Sequence, residues 1–196
     1  MTHRTRNLTI RSLAAPLAFA CVLVATGPVL AQTRVNQDAQ ALVGFKTRVD
    51  EYFALHKKLE ATLPKLSNEA KPEEIDRDQR ALAALVTAER KTAKPGDIFT
   101  PDVQAIIRGI LERLFTGQDR RKLRESIMDE NPGNIRLTVN GRYPDQVPLA
   151  NMPAEVLKAL PPLPDELEYR FVGDALILLD AHAHIVADFF PNVLPR

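Results

Sequence analysis

The chain predicts an α+β fold, with helices first and a small antiparallel sheet after them. Three observations predict it. Apolar residues of the first half recur at spacings of three and four, those of the last third at spacings of two, and the breaker "NPGN" at 131–134 separates the two patterns. Residues 32–131 form the helical part, a hairpin or bundle of about three long helices. Residues 132–196 form a β-meander with one short helix, and the two parts make a single domain of 165 residues.

Taken in order, Leu42, Phe45, Val49, Tyr52, Leu59 and Leu63 lie on one stripe of a long helix from about Val35 to Leu63, broken by Pro64. His56 falls within that stripe and reads as a histidine at the edge of a helix–helix contact. A second helix starts near Pro72, with Glu73 and Glu74 at its positive end and Ile75, Leu82, Leu85 and Val86 as its buried face. "TPD" at 100–102 is the clearest helix start, Thr100 capping and Pro101 in the first turn. Val103, Ile106, Ile107, Ile110, Leu111, Leu114 and Phe115 give that helix a broad apolar face. Gly117 interrupts it before Leu123, Ile127 and Met128 resume the pattern.

Beyond the breaker, Ile135, Leu137 and Val139 alternate as one strand, and Asn140-Gly141 offers a turn before Pro144. "MPAEVLKAL" is a short helix and "PPLP" at 161–164 a stiff connector. Its P-x-x-P match is a linker signal more than a ligand motif. The meander follows as Leu167–Val172, Ala175–Leu179 and His184–Phe189, with turns at Gly173-Asp174 and at Asp180–Ala183.

Residues 1–31 are expected to be a signal peptide. Arg4, Arg6 and Arg11 open the chain without an acid, an apolar run spans Leu13–Ala25, and Val29 and Ala31 are the small residues before a cut at Ala31–Gln32. The export expected is to a periplasm, with no integral membrane segment left after cleavage. The leader takes three basic residues and Cys21 with it, leaving 23 basic against 25 acidic residues and no cysteine. A near-neutral exported chain lacks the field and the location for nucleic acid. Without cysteine it has no disulfide, thiolate metal site or cysteine nucleophile.

"GDIFTPDV" (96–103), "GRYPDQVPLANMP" (141–153) and above all "LPPLPDELEYRFVGDALILLD" (160–180) resemble a family of small exported proteins of Gram-negative bacteria sharing an LPPLPxxLEYRFVGxxLILxD motif. The resemblance covers about residues 90–194 and implies export. It brings no activity, ligand or catalytic residue with it. At the positions of His182 and His184 that family usually has other polar residues.

The one stretch with metal-ligand character is "DAHAHIVAD". On a continuous strand Asp180, His182, His184 and Asp188 share one face and offer two imidazoles and two carboxylates to a zinc ion. A turn between Leu179 and Ile185 breaks that alternation, and Val186 sits within the supposed polar face, so a polar hairpin is the favoured reading. Other chemistries lack their residues. Ser67 and Ser126 lie in no G-x-S-x-G elbow, and no glycine-rich phosphate loop occurs. Asp165, Glu166 and Glu168 read as a solvated loop before a glycosidase pair, and Tyr169 and Phe171 as core. The function expected is a non-catalytic binding module for an envelope protein or ligand. Alternatives are a small metal-dependent hydrolase using the H-x-H pair, with zinc as its cofactor, and a helical chaperone-like adaptor.

Overall fold

A computed structural model describes Met1 and residues 27–130 and 135–194, the stretch 27–35 by its backbone alone. The elements are α1 (Gly27–Glu60), α2 (Pro72–Glu89), α3 (Pro101–Leu114), α4 (Gly117–Glu130), α5 (Ala154–Ala159), β1 (Leu167–Val172), β2 (Ala175–Asp180) and β3 (Ile185–Phe190). Helices precede a three-stranded antiparallel sheet of order β1-β2-β3, so the α+β class holds. Most of the expected signal peptide lies outside the described residues. The expected cut, Ala31–Gln32, falls within the first turns of α1.

The α1 stripe reaches the core through Phe45, Val49, Tyr52 and Leu59, all buried. Pro72 opens α2, and Glu74 accepts the backbone N–H of Lys71 at 2.9 Å, satisfying one of the donors a helix start leaves orphaned. Leu82 and Val86 are its buried residues, whereas Ile75 is 42% exposed and leaves the expected face. Thr100 does precede α3, yet its side chain makes no capping bond; Pro101 and Asp102 alone mark that start. The apolar face of α3 is narrower than its sequence suggests, since Leu114 is exposed while Val103, Ile107 and Leu111 are buried. Gly117, at φ +53°, opens a separate helix, α4, docked by Leu123 and Ile127.

The sheet is the centre of the molecule. Every β2 residue is buried, because both of its faces are covered. Leu176, Leu178, Tyr169, Phe171 and Ile185 face the helices; Ile177, Leu179, Val172 and Val186 face the other way, onto Tyr143 and Leu137. Burying four consecutive aliphatic side chains in β2 contributes about 2 kcal/mol each. Gly173, at φ +54°, closes the first hairpin.

The expected strand at Ile135–Val139 does not form. That segment is irregular and lies across the second face of the sheet, sending Ile135, Leu137, Val147 and Leu149 inward. Asn140 sits at φ 60°, and a Cβ on Gly141 would lie 2.1 Å from Thr138 Oγ1, so the chain turns too tightly there for a ladder. It still shields the β3 edge: Asn140 N–H donates to Val186 O, Val186 N–H to Gly141 O, and Tyr143 N–H to His184 O, at 2.8–3.0 Å.

Candidate functional site

The β2–β3 turn decides where the histidines point. Asp180 pairs with Ile185, which leaves Ala181–His184 as the loop. Asp180 Oδ1 accepts the Ala183 N–H at 2.8 Å, the local bond by which an aspartate stabilises a turn. His184 closes the turn at φ 56°, in the left-handed region. Alternation fails here, and the two imidazoles leave in different directions.

The four residues expected as one metal site are therefore not brought together. His184 goes to the side of the 135–150 segment, its Nε2 3.3 Å from Asp145 Oδ1 and its ring edge-on to Tyr143. Burial and the neighbouring Arg142 hold its pKa below the usual 6.5. Asp188 faces the helices but is occupied by backbone. Its carboxylate accepts the N–H groups of Gly96, Ile98, Phe99 and Phe189 at 2.7–2.8 Å, fastening the loop before α3 to β3. Burial pushes that carboxyl up from its ordinary value, and those four bonds oppose the shift.

Asp180 and His182 meet a different set of partners, on α1 and α2. Asp180 is fully buried, and its Oδ2 accepts the Tyr52 hydroxyl at 2.7 Å and His56 Nδ1 at 2.6 Å. The carboxylate thus assigns the proton to Nδ1 of His56. Burial and Asp180 together raise the Tyr52 phenol well above its ordinary pKa, keeping it a hydroxyl donor. His56 is also wholly buried, against the sheet instead of at the edge of a helix–helix contact. Its Nε2 has no hydrogen-bond partner among the described residues; Glu60 Oε2 stands 3.9 Å away, beyond bonding range.

His182 closes the group. Its Nδ1 lies 3.4 Å from Glu60 Oε1, its Nε2 3.4 Å from Asp78 Oδ2, and its ring centroid 5.4 Å from that of His56. Lys57 pairs with Glu60 through Oε2 and is 3.4 Å from Glu166. That ammonium keeps Glu60 below the usual carboxylate range, so Glu60 is ionised at neutral pH. Glu60, His182 and Asp78 line an open cleft of about 650 Å³ whose far wall is Leu63, Pro64 and Leu66 of the α1–α2 loop. His56 stands behind them.

Tyr52, Glu60 and Asp78 do not stand out as site residues in the sequence. A signal for the first two is nevertheless present, since Tyr52, His56 and Glu60 follow one another at steps of four on one helix face. Asp78 carries no comparable signal. No helix among the described residues is long and apolar enough to cross a membrane. Comparison with protein families, with characterised proteins and with solved structures finds no match to the chain.

Proposed function

We propose that this chain is an exported protein of the Gram-negative envelope that acts by binding, through the cleft between the end of α1, the α1–α2 loop and the β2–β3 turn. The cleft is the observation that carries the reading. A buried imidazole without a second partner among the described residues costs free energy, and here it stands directly behind the only opening that Glu60, His182 and Asp78 share among the described pockets. A binding role also suits the two serines of the expected mature chain. Ser67 accepts the N–H of Glu69 and Ser126 contacts Glu130, each away from an imidazole.

Export is supported by the basic, acid-free start and the small residues before Gln32, and by the likeness to small exported proteins. A second reading, a small metal-dependent hydrolase, draws on the approach of His182 to Glu60 and His56 and would need an activated water in the cleft.

Fractionation of the native cell tests the leading reading. The chain is expected in the periplasm with Gln32 as its first residue. A photo-crosslinker replacing Leu66, in the cleft wall, should capture a partner that one replacing Leu114 does not. Retention of residues 1–31 in the cytoplasm, or equal capture from both positions, would sink it.

A further inference from the structure

We propose that His56, Glu60 and His182 form a site for one divalent transition-metal ion of the zinc class, with Asp180 and Asp78 orienting the two imidazoles. This deepens, and rests on, the reading of the same cleft as the binding site.

The first argument is the arrangement around each ring. His56 gives Nδ1–H to Asp180 and turns Nε2 toward Glu60; His182 has Asp78 at Nε2 and turns Nδ1 toward Glu60. Each imidazole thus has an aspartate on the nitrogen remote from Glu60. Such a carboxylate fixes the tautomer, leaves the lone pair on the inner nitrogen and raises its basicity, the usual support behind a metal-bound histidine.

The second is the orphan atom. Nε2 of His56 is fully buried, carries a lone pair once Nδ1 holds the proton, and has nothing among the described residues to accept from. Only a donor or a cation can satisfy it. The competing account makes His56 an imidazolium bridging Asp180 and Glu60. That account needs a hydrogen bond from Nε2 to Glu60, but the separation is 3.9 Å and that oxygen already takes Lys57.

The third is geometry and donor chemistry. One atom from each of the three residues lies within 4.8 Å of the others. Metal–ligand bonds of about 2.0–2.2 Å require these atoms to close by about an ångström. Glu60 and His182, both partly exposed, can rotate to do so, while His56 is the fixed anchor. Two imidazole nitrogens and one carboxylate suit zinc, and its neighbours in the transition series, over magnesium or calcium. Three protein ligands leave a position open to the cleft.

Untagged protein expressed from the full-length gene, stripped with EDTA and titrated with zinc chloride, provides the test. One zinc per chain should bind saturably, unaffected by excess magnesium, and cobalt should give the intense visible bands of a four-coordinate ion. Glu60→Gln and His182→Asn should each weaken zinc by at least about tenfold, and Asp78→Asn by roughly tenfold at unchanged stoichiometry. His184→Asn should leave binding as it is. His56→Asn risks the fold, so the partly exposed Glu60 and His182 decide the matter. Absence of saturable zinc binding, or equal loss in His184→Asn, overturns the site. Capture at Leu66 without zinc binding would overturn the site and leave the binding reading standing; zinc binding without export or capture would do the reverse.

Discussion

Asp180 and Asp188 stand on the same side of the sheet and are equally buried, yet they differ in kind of partner. Asp188 accepts four backbone N–H groups, three from the 96–99 loop and one from Phe189 of its own strand, so its partners are all backbone and it holds that loop to β3. Asp180 accepts one backbone N–H and two side chains, Tyr52 and His56, and through His56 its influence reaches the cleft. A carboxylate satisfied by backbone is absorbed by the fold. One satisfied by side chains passes its polarity on to whatever lies beyond them.

The largest effect that would sharpen this contrast is expected from Asp188→Ala. It strands several N–H groups of a buried loop and should remove about 4 kcal/mol of stability in urea unfolding. Zinc affinity of whatever protein remains folded should be unchanged. Asp180→Asn is expected to cost less, about 2 kcal/mol, because an amide keeps one acceptor for its partners. Unlike Asp188→Ala it should also weaken zinc, since His56 loses the charge behind its ring. If both variants lower zinc affinity alike, the distinction between the two aspartates is broken.

Tyr52→Phe removes a single hydrogen bond to Asp180 and leaves His56 in place. Its expected cost is about 1 kcal/mol, read as a shift of the urea midpoint. The smallest effect belongs to the other histidine. Because the folded pKa of His184 is depressed below 6.5, the unfolded chain takes up its proton first as the pH falls. Its contribution is present above that value and is lost as the pH drops through the folded pKa. His184→Gln should flatten this loss in thermal melts between neutral and mildly acid pH, with little change at neutral pH. A steeper acid loss in the variant would contradict the assignment.

Much of the fold was legible along the chain. Alternation placed β1 at Leu167–Val172, and Gly173-Asp174 placed its turn, because strand period and turn chemistry are local properties. The starts of α2 and α3 were legible at Pro72 and Pro101 for the same reason. The segment around Ile135–Val139 misled: its alternation is real, but its apolar residues cover a sheet face instead of extending the sheet. His56 misled in a similar way. Its place in an apolar stripe was visible, whereas the carboxylate waiting for it is 124 residues further on. The H-x-H pair was visible too, but a left-handed residue at its second member splits it, and a φ value is not written in the composition of a turn.

By itself, the sequence determined the order of helices before strands, the starts of α2 and α3, the hairpin that carries the histidines, and the lack of cysteine chemistry beyond residue 31. All of these follow from neighbours a few residues apart. Only the tertiary structure decided which polar groups meet. Packing α1 and α2 onto one face of the sheet set Asp180 behind His56 and Asp78 behind His182, and covering the other face drew His184 away. Burial selects partners across the whole chain, and a residue buried beside a distant charge acquires a chemistry its own neighbourhood does not announce.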